Sequence, residues 1–302
     1  MNRITKLDQI SEQLITKNTK KRVAVAWAQD QNTIGALARA VDEGFVEAIM
    51  VGDKSQIEKT AIAKQIDPNI FTIIHKETDY EATAEAVRLV KLDEADILMK
   101  GLVDTNKFLK AVLDKQLGLL PEKAIMSYVA VIEIPKYHKL LFVTDTAVIP
   151  YPDIKQKSAM LKYSVNMAKK FGIKIPKVAL IGSSEKVAIN QQYTIDYAIM
   201  CKMVERGQLP ECIIDGPLDL FLACDPESVK IKNVKTPING DADILLFPSL
   251  EACNSFYKGL MLFGGGELAG LIQGTSKPVV VMSRSESSKS KFYCVALACL
   301  MA

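Results

Sequence analysis

The 302-residue chain has two histidines, one tryptophan and no Cys-x-x-Cys pair among its six cysteines, at 201, 212, 224, 253, 294 and 299. With His75 and His138 as the only possible imidazole partners, the spacing of a structural metal site is missing, and no metal is expected. Cysteines in settings such as Val295-Ala296-Leu297-Ala298-Cys299 read instead as small core residues. No stretch approaches the roughly 18 apolar residues that span a bilayer, and the apolar tail Phe292 to Ala302 suits a buried helix. The first ten residues, Met1 to Ile10, interleave charges with apolar residues at helical spacing and lack the continuous apolar core of a secretion signal. They predict a surface helix on a cytoplasmic protein. Neither sign of charge dominates: 38 basic and 35 acidic residues are well mixed, so no basic face announces nucleic acid or a membrane surface.

What is present is apolar content, 49% of the chain, divided into short runs that alternate with amphipathic segments. Val23 to Trp27 is strand-like, Thr33 to Glu43 helix-like, and Ala48 to Val51 a second strand closed by Gly52-Asp53. Further strands are expected at Phe71 to Ile74, Ile97 to Met99, Tyr128 to Ile134, Leu140 to Val143, Val178 to Ile181, Cys212 to Asp215, Ile244 to Phe247 and Val279 to Met282. Such continuous runs suit parallel strands covered by helices on both faces, an α/β fold. A weak internal echo, Lys21 to Val25 against Lys177 to Ile181 and Glu94 to Met99 against Asp241 to Leu246, predicts two similar halves. The proline-rich stretch Ile149-Pro150-Tyr151-Pro152-Asp153 between them favours an extended connector.

The most informative segment runs from Asp241-Ala242-Asp243-Ile244-Leu245-Leu246-Phe247-Pro248 through Asn254, Tyr257 and Lys258 to Pro278-Val279-Val280-Val281-Met282-Ser283-Arg284-Ser285. Two buried-type strands there end in polar turns, and in open α/β sheets ligands collect outside the carboxyl ends of strands. In this order the residues resemble the phosphate acetyl/butyryltransferase family, closest to its phosphate butyryltransferase branch. Matches continue at Glu47 to Asp53, Leu98-Met99-Lys100-Gly101, Thr144-Asp145-Thr146-Ala147, Pro176 to Leu180 and Ile214-Asp215-Gly216-Pro217-Leu218. Any one is short enough to arise by chance; their shared order is the specific signal.

The resemblance implies two α/β domains with mostly parallel, helix-covered sheets and a cleft between them: 1–148 with a returning segment 286–302, and 149–285. It implies reversible transfer of a short-chain acyl group, butyryl for this branch, between coenzyme A and phosphate, directly within a ternary complex. Acyl-CoA and phosphate are then the small-molecule partners, no cofactor is permanently bound, and the chain is expected to form a homo-oligomer. An enzyme of this kind must hold a polyanion beside a thioester and stabilise an oxyanion, so positioned cations and hydrogen-bond donors are the residues to seek.

Arg284 matches the family's Ser-Arg pair, and its planar fork can take two phosphate oxygens, as Lys cannot. Ser283 beside it can donate to phosphate or to the tetrahedral oxyanion, although Ser-Arg-Ser is also a common solvated turn. Asn254, Tyr257 and Lys258 are spaced to share one helical face after Pro248. Lys100-Gly101 ends a strand before Asp104-Thr105, which can cap a helix and open an anion site at its start; Lys110 stands where the acetyl branch has an arginine. Asp145 matches a motif at the domain junction and orders the cleft or caps a turn. Glu185 and Asn190 are candidates for contact with the acyl group or CoA.

The general base is where the chain departs from the acetyl branch, whose acid seven positions after the motif serine is Ser290 here; Glu286 is the nearby acid. A thiol with a Cys-like pKa of about 8.5 is already roughly 3% thiolate at pH 7, so full deprotonation gains only about 2 kcal/mol. Losing one oxyanion donor costs about 3–4 kcal/mol, so charge stabilisation by Ser283 and Arg284 is expected to outweigh a dedicated base. Leu262 replaces a further arginine of the acetyl branch. Cys253 lacks an activating neighbour, which argues against an acyl-cysteine. The cluster Gly264-Gly265-Gly266 is not a dinucleotide fingerprint and reads as a turn before a strand. A phosphate acetyltransferase, a two-domain dehydrogenase-like enzyme and a non-catalytic CoA-binding subunit are the competing readings.

Overall fold

The computed structural model describes residues 3–18, 20–283 and 286–302, so Arg284 lies outside the described residues. The chain divides into two compact units, a terminal one, Leu7–Ala124 with Ala269–Ala302, and a central one, Met1–Lys6 with Ile125–Leu268.

The terminal unit opens with α1 (Asp8–Thr16), β1 (Lys21–Ala26), α2 (Gln31–Asp42), β2 (Val46–Gly52), α3 (Lys54–Ala63), β3 (Thr72–His75), α4 (Asp79–Lys91), β4 (Ile97–Lys100) and α5 (Thr105–Val112). From α2 to α5 each helix start carries its own signal. Asp30, Asp53, Thr78 and Asp104 accept backbone N–H bonds at the starts of α2, α3, α4 and α5. In α4, Asp79 and Glu81 in the first turn and Arg88 and Lys91 in the last also complement the helix dipole.

The central unit comprises β5 (Ser127–Glu133), β6 (Leu141–Thr144), α6 (Ile154–Lys170), β7 (Lys177–Ile181), α7 (Gln192–Glu205), β8 (Ile213–Leu218), α8 (Leu220–Cys224), α9 (Pro226–Lys232), β9 (Ile244–Leu246) and α10 (Leu250–Phe263). Its strand order is β5-β6-β9-β7-β8, with the β5–β6 hairpin antiparallel and the other pairs parallel. α6 begins with a full capping box between Asp153 and Gln156.

The chain then forms β10 (Glu267–Gln273), β11 (Val279–Val280) and α11 (Ser288–Met301). In the terminal unit the order is β3-β2-β1-β4-β11-β10, parallel except for the β10–β11 hairpin. α11 is buried on all sides from Ser290 to Leu300. Arg39 of α2 lays its guanidinium 3.8 Å from the Phe292 ring centroid, and Phe45 meets the same ring edge-on at 5.8 Å. Burying Phe292, Val295 and Leu297 completely is worth about 1.5–3 kcal/mol each.

Two sequence expectations differ from this division. Residues 125–148 sit in the central unit because β6 pairs with β9, Phe142 opposite Ile244, so the break falls at 124/125 rather than 148/149. The returning segment begins at Ala269 rather than at 286 because β11 pairs with β4, Val279 opposite Leu98. The N-terminal helix also starts later than expected, at Asp8. Ile4, Leu7 and Ile10 are buried, and Tyr293 donates to Asp8 at 2.7 Å, so this segment is packed rather than laid on the surface.

Candidate active site

In the terminal unit, register brings the carboxyl ends of β1, β4 and β11 side by side: Ala26 lies opposite Lys100 and Val280 opposite Met99. Lys100 is buried, and its ammonium donates to the carbonyls of Gly101 at 3.2 Å and Val103 at 3.1 Å. Gly101 is required beside it, because a Cβ there would lie 2.4 Å from the carbonyl oxygen of Trp27, itself at φ +57°. Beyond β11, Ser283 is exposed and its carbonyl accepts from the Glu286 N–H at 3.3 Å. Asn32, at the start of α2, donates to the Glu286 carbonyl at 3.1 Å and accepts from the Ser288 hydroxyl at 3.2 Å. One helical turn later Lys291, 4% exposed at its side chain, pairs with Asp30 and donates to Thr33 at 3.1 Å. Burial opposes ionisation of Asp30, yet Lys291 and Thr33 hold its carboxyl below the usual range.

Lys100 thus ends β4, and Ser283 and Glu286 follow its neighbour β11, whereas the two residues of α5 do not strengthen an anion site there. The Asp104 carboxylate already takes the N–H groups of Asn106 and Lys107, which a substrate anion would need. Thr105 is exposed in that first turn, and Lys110 is exposed in the last, where a cation faces the carbonyl end of the dipole. Ser290 is buried and receives its place from the α11 cap: its N–H donates to Ser287 Oγ at 3.0 Å.

In the central unit the corresponding edge is formed by the carboxyl ends of β6, β9 and β7. Asp145, 2% exposed, accepts from Ser127 Oγ, Tyr128 N, Ala147 N and Val148 N at 2.8–3.1 Å. Burial pushes its carboxyl up while these four donors pull it down, with the net shift upward. Asn254 of α10 donates to the Thr146 carbonyl at 2.9 Å, tying that helix to the Asp145 loop. Tyr257 is half-buried and Lys258 exposed on the same helix, while Glu185 and Asn190 lie exposed in the loop between β7 and α7. Cys253 is fully buried and burial pushes its thiol well above its ordinary value, which disfavours a nucleophilic thiolate.

The sequence reading missed Asn32, Asp30 and Lys291. The Asp30 cap is legible as a polar residue before an amphipathic run, but Lys291 in an apolar helix gives no hint of its partner across 261 positions. Two buried oxygens without a hydrogen-bond partner, Gln29 Oε1 after β1 and Thr144 Oγ1 at the end of β6, also sit at these strand ends. Among the described residues no group of three or more His, Cys, Asp or Glu is arranged to hold a metal ion, and no helix is long and apolar enough to cross a membrane.

The pattern of the "Phosphate acetyl/butaryl transferase" family matches residues 74–299, which include the central-unit edge and the β4 and β11 ends of the terminal-unit edge, but not β1 or α2. The chain belongs to this family. Among its curated relatives, the phosphate butyryltransferase of Clostridium beijerinckii is 42% identical over 98% of this chain and 97% of its own length. The phosphate acetyltransferase of Thermotoga maritima is 37% identical over 93% and 95%. A branched-chain phosphotransacylase from Enterococcus faecalis V583 shares the fold with a TM-score of 0.80 and 29% identity, covering 92% of this chain and 97% of that one. The phosphate acetyl/butaryl transferase fold accounts for both α/β units, and the family assignment makes the chain a phosphate acyltransferase.

Proposed function

We propose that the chain moves a short-chain acyl group, butyryl by preference, between coenzyme A and inorganic phosphate by direct transfer. The observation that supports this reading is the strand-end edge of the terminal unit, where β4, ending at buried Lys100, pairs with β11, three residues before Ser283, within a family-wide sequence match. Phosphate oxygen attacks the thioester carbonyl, the C–O bond forms as the C–S bond breaks, and CoA leaves as thiolate. Thioester and acyl phosphate are at one oxidation level, so the reaction needs no redox partner. Ser283 donates to the developing oxyanion and Arg284 clamps phosphate. Lys100 adds positive potential at the edge, and Asp145 and Asn254 hold the central-unit loop in shape. Glu286, half-buried beside Ser283, serves as the base for any proton that must move.

Butyryl rather than acetyl preference rests on the relative at 42% identity and on Leu262, which stands where an arginine is expected in the acetyl branch. We place the enzyme in the cytoplasm and read it as a homo-oligomer. Ile189, Leu262 and Phe263 of the central unit are 92%, 76% and 86% exposed, large apolar side chains that a second copy could cover.

The test is phosphate-dependent release of free thiol from acetyl-, propionyl-, butyryl- and isobutyryl-CoA, with arsenate replacing phosphate as a check. Release that requires the anion and peaks at four carbons is expected. A maximum with acetyl-CoA would transfer the chain to the acetyl branch. CoA binding without release from any substrate would establish a non-catalytic subunit, for which the replacement of an acid by the cap residue Ser290 is the supporting observation.

A further inference from the structure

The first turn of α2 and the run into α11 meet along a series of polar bonds. The Ser283 carbonyl accepts from the Glu286 N–H, the Glu286 carbonyl accepts from Asn32, and Asn32 accepts in turn from the Ser288 hydroxyl. Ser287 caps α11 through the Ser290 N–H. Gly35 of α2 allows the close approach, since a Cβ there would lie 3.2 Å from Ser288 Oγ. The series ends at Lys291, in the first turn of α11, whose side chain is 4% exposed. Its ammonium pairs with Asp30 and donates to the Thr33 hydroxyl at 3.1 Å. Thr33 closes the ring by donating both its hydroxyl and, at 2.9 Å, its backbone N–H to the Asp30 carboxylate.

Stability alone does not account for this ring. A cation in the first turn of a helix opposes the helix dipole. Replacing a buried ion pair by uncharged residues of similar volume often leaves a protein as stable or more so. Asp30 would cap α2 without Lys291, because the cap needs only its oxygen. Lys157 of α6 pairs with Asp196 of α7 at 2.7 Å under similar burial, but there the pair joins two helices of the central unit rather than a helix start to a site segment. What the charges and the hydroxyl add at Lys291 is direction. Two bonds of set geometry fix the first turn of α11 about its axis, which apolar contact does not. We propose that the Asp30–Thr33–Lys291 ring is a positioning device for acyl transfer, holding the start of α11 on α2 so that Ser283 is presented in one orientation. This rests on the acyltransferase function argued above, and it asks none of the three residues to touch substrate.

The double substitution Asp30→Asn with Lys291→Met, made in the full chain, is the test. Asn caps a helix as well as Asp does, and Met fills the space of the lysine, so the pair is removed and no charge is left buried alone. The melting temperature is expected to stay within about 5 °C of the original. With butyryl-CoA and phosphate, kcat should fall at least about tenfold while each KM stays within about twofold. Amide exchange followed by mass spectrometry should quicken over Glu286 to Lys291 and remain unchanged in β1 and β4. Each single substitution strands a charge and should lower melting temperature and kcat together. A pair that serves folding only would regain both in the double variant, and that recovery of kcat would overturn the proposal. A raised KM for phosphate with unchanged kcat would overturn it too, by making Lys291 a substrate contact. If the double variant fails to fold, Thr33→Val removes the hydroxyl and leaves both charges in place. There kcat should fall about threefold with little loss of stability, and an unchanged kcat would again overturn the proposal. No turnover by the unsubstituted chain would sink the transferase reading and this role with it, whereas equal turnover by the unsubstituted chain and the double variant sinks the role alone.

Discussion

The side-chain amide of Asn32 donates to the backbone carbonyl of Glu286 at 3.1 Å, across 254 positions of sequence. A single residue at the start of α2 thereby ties down Glu286 just before α11, and its own side-chain oxygen is held by the Ser288 hydroxyl. Asn32→Ala removes both bonds at a site that is only partly buried. Loss of two such bonds is expected to cost about 1–2 kcal/mol of stability. The larger effect should be on kcat, falling about tenfold with KM changed much less, because geometry rather than charge is lost. Steady-state kinetics in butyryl-CoA and phosphate check this, and an unchanged kcat would remove Asn32 from the positioning of Ser283.

Gly101 follows Lys100 for a steric reason. A methyl group there meets the Trp27 carbonyl oxygen at 2.4 Å and that of Ala26 at 2.7 Å, both backbone atoms that cannot swing aside. Gly101→Ala is therefore expected to destabilise the terminal unit by at least about 2 kcal/mol through strain where two strand ends approach closely. Urea denaturation measures it; a midpoint within error of the original would show that the β1–β4 edge can yield.

Much of this was legible beforehand because burial writes itself into composition. The apolar runs that became β1, β2, β4, β7 and β9 could be read directly, since strands covered on both faces have no polar alternation to mislead. The unit boundary could not, because residues 125–148 look like any α/β segment and only pairing of Phe142 with Ile244 reveals their neighbour. Within the site, Asp145 and Asn254 are motif residues, but their bonds to Ser127 and Thr146 depend on loop geometry. Lys157 and Lys291 were invisible for a related reason. A lysine on a helix is ordinarily a surface residue, and burial with an aspartate partner depends on packing far away in sequence.

At the amino ends of β6, β7 and β9, Asp241 joins Lys139 at 2.7 Å, Lys177 at 2.9 Å and His138 at 3.0 Å. Partial burial would raise its carboxyl, but Lys139 and Lys177 outweigh that and hold it at about 2, below the ordinary 3.8. A depressed folded pKa contributes stability that is fully present above the unfolded pKa and is lost as pH falls towards the folded one. The window is therefore pH 4 to 2. The side chain is 34% exposed, so screening reduces the effect. The stability difference between the original chain and Asp241→Asn should narrow by at most about 1 kcal/mol between pH 6 and pH 3. Denaturant titrations at the two pH values test the sign, and a difference that widens on acidification would refute the pairing as its cause.

Asp145 is the strictest test of the central-unit edge, because both its oxygens are fully engaged. One receives the Ala147 and Val148 N–H groups, the other the Ser127 hydroxyl and the Tyr128 N–H. In Asp145→Asn one oxygen becomes an NH2 group that can only donate, so it faces at least one backbone N–H with no acceptor between them. The expected loss is about 2–4 kcal/mol, the sum of unsatisfied buried donors and lost charge-assisted bonds. Activity should fall as well, since Asn254 anchors α10 to the Thr146 carbonyl of the same loop. Asp145→Glu keeps the charge but lengthens the side chain in a site 2% exposed and should not restore stability. Calorimetric melting of both variants separates the two causes: recovery by Glu alone would mean that charge, rather than the four-donor geometry, holds the loop.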